Sequence, residues 1–411
     1  MTAGSHQKVT GFSGNEIFCL NSLGYEPGQL CLGNNVIALG LARGIGAGLS
    51  NLAGGEVEQI THLVHQGRAH AFNRMIEEAR RYGGVGLAGV TFDMISHGSN
   101  LEFIATGSTI HQVSDRIERI GFTTSANAQQ LYCQLDAGFT PRSFVFGNVA
   151  YSIGVGGSIG GAFRGLGRGE VSQYTEIFDR TRHLALSRIK KAARGVGANA
   201  VIGIETHIMP LLGTQEMMMT GTASSHPLLI NYADEPVTSD MTNEELWNLV
   251  NIGYLPLELV MGVSVYSLGL ASGIKSWAKS LAGGSVDTLS NLLYEAREKA
   301  FERIEQAAER CGADEVVGTK TRVYDLGGGL VEFMAIGTAV KRIRGVTTRT
   351  AGLPAQAIIV DRDTFVESDN ASATQVNTRQ AASAARTQGG AFKLFIAIMF
   401  VVFWIYLMFF K

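Results

Sequence analysis

One stretch of this chain occurs three times. Gly24-Tyr25-Glu26-Pro27 returns as Gly138-Phe139-Thr140-Pro141 and as Gly253-Tyr254-Leu255-Pro256, at offsets of about 114 and 115 residues. The same offsets relate Gly33 to Gly147 and Gly262, Gly83 to Gly197 and Gly312, and Gly89 to Gly203 and Gly318. Near the end of the unit the third copy gains a residue, so Glu102 and Gly107 match Glu216 and Gly221, then Glu332 and Gly337. Register held this far, three times, defines one supersecondary unit in tandem. The copies span residues 12–111, 124–224 and 239–342, with short joins at 112–123 and 225–238.

Each unit reads in the same order. A short β-rich stretch such as Glu16 to Leu20 precedes the Gly-aromatic-x-Pro turn, and an apolar strand follows, as in Val263 to Leu270. A Gly-rich segment then leads into a long helix, about 56–81, 170–194 and 286–310. In the third copy Leu293, Ala296, Ala300, Ile304 and Ala307 form one apolar stripe at three- and four-residue spacing. Gly83, Gly197 or Gly312 stops the helix at the left-handed cap position. Two strands close the unit. The predicted class is α+β, one helix on a small antiparallel sheet, three times over.

Several of these motifs resemble the YbjQ family, whose label speaks of heavy-metal binding. The resemblance rests on Gly54-Gly55-Glu56 before the helix and on Gly197-Ala198-Asn199-Ala200-Val201-Ile202-Gly203 and Gly312-Ala313-Asp314-Glu315-Val316-Val317-Gly318 after it. The closing Glu332-Phe333-Met334-Ala335-Ile336-Gly337-Thr338 completes it. It covers residues 12 to 342. It implies dodecin-like β-α-β-β units and ring-shaped oligomers, typically pentameric, and implies no reaction. Three fused units do not divide into five. A closed assembly therefore calls for five chains in three stacked rings, each copy in its own layer.

Residues kept in every copy report what the unit needs. Arg68, Arg182 and Arg297 occupy one helix position, on or beside the apolar face, and Arg74, Arg188 and Arg303 another. A charge on an apolar face demands a partner. The acid kept in all closing strands is Glu102, Glu216 and Glu332, so the first Arg set is expected to pair with it, within a unit or across a joint. The alternative is an anion site on the Arg fork.

The Gly-rich segments, with Gly44, Gly46 and Gly48 in the first copy and Gly156 and Gly157 in the second, could cradle an anion on backbone amides. No Gly-Lys-Ser/Thr follows them, so a structural connection is the plainer reading. Ser158 completes a Gly-x-Ser-x-Gly but is replaced by glycine in the other copies, which argues against a nucleophile. The nine His do not repeat. Neither His62 and His65, nor Cys19 and Cys31, nor the Met217–Met219 run forms a ligand set of proper count and spacing, so no metal site and no cofactor is expected. With 34 basic and 36 acidic residues there is no field for nucleic acid.

The C-terminus differs in kind. After a polar tether at 361–390, Leu394 to Phe410 is an unbroken apolar run within a 391–411 tail. At about 1.5 Å per residue it covers roughly 25 Å, enough to reach across a bilayer. Arg379, Arg386 and Lys393 precede it and only Lys411 follows, which puts the large N-terminal part on the cytoplasmic side, in a bacterium at the inner membrane. The expectation is a non-enzymatic, tail-anchored homo-oligomeric scaffold or adaptor at the cytoplasmic face, with a further protein partner left open. The competing expectation is a ring that holds a small ligand or heavy metal.

Overall fold

In each copy the chain enters through a capping box. Ser13 accepts from the Glu16 amide while the Glu16 carboxylate takes the Ser13 amide, and Asn127 with Gln130 and Thr242 with Glu245 do the same. Reciprocal satisfaction of two orphan donors starts a helix. The opening stretches are therefore helical: α1 (Gly14–Ser22), α3 (Ala128–Asp136) and α5 (Asn243–Asn251). This corrects the β-rich reading of Glu16 to Leu20. The computed structural model describes residues 8–38, 55–97, 100–113, 120–152, 169–212, 214–267, 286–327 and 330–359.

After the opening helix each unit has a long strand: β1 (Tyr25–Ala38), β6 (Thr140–Ser152) or β11 (Tyr254–Ser267). The main helices are α2 (Glu58–Tyr82), α4 (Ser172–Gly195) and α6 (Val286–Cys311). Hairpins follow: β3 (Gly86–His97) with β4 (Asn100–Gln112), β8 (Ala200–Leu211) with β9 (Thr214–Ser225), and β12 (Glu315–Gly327) with β13 (Leu330–Arg342). The hairpin's second strand sits in the middle of each antiparallel sheet, flanked by the long strand and the hairpin's first strand. Gly89, Gly203 and Gly318 stand at matching register shifts, with φ of 64°, 61° and 64°. An L side chain rarely adopts that backbone.

A second glycine sets the helix against the sheet. A Cβ on Gly33, Gly147 or Gly262 would lie within 2.1, 2.6 or 1.9 Å of the carbonyl oxygen of Ala71, Ala185 or Ala300. Only glycine lets strand and helix backbones approach this closely. Each join ends in a two-residue strand: β5 (Phe122–Thr123) and β10 (Val237–Thr238) pair in parallel with the hairpin's first strand of the unit just left.

The three units sit side by side, not in separate layers. A two-residue arm before α2, β2 (Gly55–Glu56), pairs antiparallel with Tyr151 and Ser152 of the second unit. The matching β7 (Gly169–Glu170) pairs with Tyr266 and Ser267 of the third. Successive copies thus lend each other a strand through equivalent joints. This corrects the stacked arrangement in which each copy meets only its own kind, because the lateral partner is already supplied within the chain. Beyond β13 the chain turns back across the opening helices. Asp136 gathers this packing: Trp247 Nε1 donates to its carboxylate at 2.6 Å, as does Thr350 Oγ1 at 2.9 Å. The short α7 (Ala355–Ile358) ends there, with Gln129 Nε2 donating to the Ile359 carbonyl at 2.9 Å. The Gly-rich segments, the tether and the apolar tail at 394–410 lie outside the described residues. Among those described, no helix is long and apolar enough to cross a membrane.

Because the Gly262 Cβ would strike backbone, Gly262→Ala is expected to destabilise the fold by about 1–3 kcal/mol. Gly352→Ala, with open space around it, should be near neutral. Urea unfolding midpoints of the two variants check this.

Candidate functional site

The kept arginines and glutamates meet at the joints. Arg68 of α2 reaches out of the first unit to Glu216 on β9 of the second, donating Nη1 to Oε1 at 2.5 Å and Nη2 to Oε2 at 2.7 Å. Arg182 of α4 reaches Glu332 on β13 of the third unit in the same way, with Nη2 at 2.9 and 2.8 Å from its two oxygens. Arg68, Arg182, Glu216 and Glu332 are all buried. The pairing is therefore directional: helix Arg of one unit to strand Glu of the next.

Supporting contacts complete the joint. Asn148 Nδ2 donates to Glu216 Oε1 at 3.0 Å and fixes that carboxylate in place. The Arg182 guanidinium lies 4.6 Å from the Tyr151 ring centroid and 5.5 Å from that of Phe178, so its faces meet π-clouds. The second Arg set works within the unit first. Arg188 donates to the Asn148 carbonyl at 2.7 Å, Arg303 to the Val263 carbonyl at 2.9 Å, and Arg74 likewise to the Asn34 carbonyl. Arg188 and Arg303 also grip the preceding unit's arm, through Glu56 and Glu170, each at 2.7 Å. Apolar packing runs straight through: Phe144 and Ala150 of the second unit belong to one cluster with Val64, Phe103 and Leu101 of the first.

Arg297 and Glu102 do not meet. Arg297 lies half-exposed against Glu298, its neighbour in sequence, and under the ring of Tyr294 at 4.4 Å. Glu102 accepts from Asn34 Nδ2 at 3.2 Å and faces His97 Nε2 at 2.8 Å. Those two hydrogen bonds, His97 first, hold its carboxyl below the usual carboxylate range.

A groove of about 790 Å³ opens at the first joint, between the start of α2 and β6 with α4. His62, His65, Arg188 and Lys191 line it. His65 stacks on Phe146 at 4.8 Å, and burial lowers its pKa. Sequence reasoning did not find this groove, because its two walls belong to different units. His62 and His65 come together there, but no group of three metal-ligating residues stands among those described. Cys19 and Cys31 fall in separate clusters, one with the opening helices and one beneath α2. Gly44, Gly46, Gly48, Gly156, Gly157 and Ser158 lie outside the described residues.

A family pattern described as "Putative heavy-metal-binding" matches residues 26–112, 140–226 and 254–343, more than half of the chain. The chain belongs to the YbjQ family. Each match begins inside the long strand and ends with the hairpin, so the opening helices lie before it. A UPF0145 protein of Thermosipho africanus is 41% identical over 85 residues, 21% of this chain and 79% of the relative. One from Thermoplasma acidophilum is 34% identical over 99 residues, 22% of this chain and 83% of the relative. A Mycobacterium tuberculosis protein named as an encapsulin nanocompartment protein is 29% identical over 221 residues, 51% of this chain and 82% of the relative.

Two outcomes follow for this YbjQ-family chain. Glu332→Gln leaves the Arg182 charge buried and unmatched, and is expected to destabilise by about 3–5 kcal/mol, whereas replacing Arg182 and Glu332 together with Met should recover most of the loss. Urea midpoints of the single and double variants decide it. The thiols give a pH signature. Burial pushes Cys19 up to about 11 and Cys31 up to about 12, and Cys133 higher still, from an ordinary value of 9.0. Above that value the unfolded chain loses these protons while the folded chain keeps them, so stability should fall as pH rises from about 9 towards 11. The slope, read from unfolding midpoints, should flatten when the three residues are replaced by Ala.

Proposed function

We propose that this protein is a non-enzymatic scaffold, tethered by its C-terminal tail to the cytoplasmic face of a membrane. The observation that supports this best is what the kept charges do. The two buried Arg–Glu pairs and the Arg188 and Arg303 bridges are all engaged in holding one unit to the next. The buried thiols are held protonated, away from nucleophilic chemistry. The relative named as an encapsulin nanocompartment protein is in keeping with a part in assembly.

The last described residue, Ile359, is held against Gln129 on α3 of the middle unit. The described chain thus ends on the face built by the opening helices, and in this reading that face would turn toward the bilayer. The tail at 394–410 would span it, with about thirty residues of linker giving a reach on the order of 30 Å.

A second reading is favoured by the groove at the first joint. Arg188 and Lys191 beside His62 and His65 suit a small anionic ligand. Elemental analysis and ligand extraction from the purified chain test it, since a stoichiometric metal or bound small molecule would move the assignment from scaffold to carrier.

Membrane fractionation of full-length and 1–390 chains checks the tether. The full chain should stay in the pellet through alkaline carbonate washing, while the shortened chain moves to the supernatant. A full chain released by carbonate would sink the anchor.

A further inference from the structure

The two joints share their ion pairs but differ in what lines them. At the first, His62, His65 and Lys191 face the groove together with Phe146 and Asn148. The second carries Glu176, Asp179, Gln306, Met261 and Val263 at the same places. It holds its units together without any of the first five residues, so holding units together does not require them. The exchange also reverses the charge offered to a ligand, from cationic at the first joint to acidic at the second.

The buried ion pair of the first joint sets the protonation pattern of His65. Asn148 Nδ2 donates to the Thr61 carbonyl at 3.2 Å and to Glu216 at 3.0 Å. Both partners accept only, so it is Asn148 Oδ1 that faces His65 Nδ1, at 3.0 Å. Nδ1 must therefore carry the hydrogen, and the neutral ring keeps its lone pair on Nε2. No described residue donates to that nitrogen. The charges that act on His65 are those of Arg68 and His62 from α2 and Arg188 from α4, and together with burial they keep its pKa below the usual histidine value. Of the two acids at the groove, Glu56 is engaged by Arg188 at 2.7 Å, and Glu58 stands at the start of α2. The rest of the wall is largely apolar, with Phe146 stacked on His65 at 4.8 Å.

We propose that this groove binds an aromatic carboxylate, its ring against Phe146 and its carboxylate on His65 and Lys191, with one proton taken up from solvent on His65 Nε2. This rests on the reading of the groove as a small-anion site, and adds the ring and the proton. At about 790 Å³ the groove has room for two fused rings. A bound carboxylate offsets the surrounding positive charge and favours the protonated ring, so the complex holds more protons than the free protein. Affinity therefore rises as pH falls from 8 to 6.

Calorimetric titration of the full chain in mild detergent, with empty micelles as the blank, tests this using 2-naphthoate, 2-naphthamide and acetate. Naphthoate should bind at least about tenfold more tightly than either comparator, since one lacks the charge and the other the ring. Its affinity should rise about tenfold from pH 8 to pH 6, a range over which the ligand's own charge is constant. His65→Gln keeps an amide that can donate to Asn148 but cannot titrate, and should abolish the rise. His62→Gln should leave the rise in place. Circular dichroism checks that each variant is folded. Acetate binding as tightly as 2-naphthoate, or affinity that stays flat across the pH range, overturns this inference and leaves the small-anion reading standing. A pH dependence that survives His65→Gln has the same consequence. No binding of either carboxylate up to about 10 mM, or binding that neither Lys191→Gln nor His65→Gln changes, overturns both together.

Discussion

A buried guanidinium with a buried carboxylate from another unit is the constraint on which the rest of this fold turns. Neither charge could stay buried alone, because the uncompensated desolvation of either would outweigh much of a domain's net stability. Each unit supplies one sign on its helix and the other on its closing strand. A unit by itself therefore carries two charges with no partner from another unit, and a row of units pairs all but the outermost two across a joint. Arg68 with Glu216 and Arg182 with Glu332 are met, and Glu102 and Arg297 are the outermost. The tandem order follows from this polarity. Apolar clusters cross the same boundaries, so the copies are repeats of sequence but not independent domains.

Precise placement of a rigid fork across a joint needs a rigid base. The glycine at the helix–strand crossing supplies it by letting the backbones touch, with the second arginine pinning the helix to the strand carbonyl below. That same arginine then reaches the preceding unit's arm. One side chain thus couples the internal geometry of a unit to the position of its neighbour, and the arrangement is reproduced at both joints because both glycine and arginine recur.

Much of this was legible in the sequence, since repeats carry their own comparison. The main helices, the recurring glycines and the residue types of the ion pair could all be read from the offsets, although that Gly89, Gly203 and Gly318 stand at bulges could not. The direction of pairing could not, because Arg68 stands at the same spacing from Glu102 whichever glutamate it meets. The opening helices were missed although their capping boxes, Ser13 with Glu16, Asn127 with Gln130 and Thr242 with Glu245, are local signals. Alternating apolar residues over so short a run fit either period, and the cap decides. The return of residues 343–359 across α3 depends on Asp136 and Trp247, more than a hundred residues apart, and left no periodic trace. His62 and His65 looked like stray histidines, because the wall that faces them is Phe146 and Arg188 of another unit.

Divergence among the copies is informative where it touches the joints. His97, which faces Glu102 in the first unit, corresponds to Leu211 and Leu326 in the others. A polar residue stands only where no arginine arrives from within the chain. In the third copy Ser285 stands at the sequence position of Glu56 and Glu170. Internal joints also gain from the covalent join, which holds the partners at a high effective concentration. The two buried pairs and the covalent joins together keep the three units of the chain aligned.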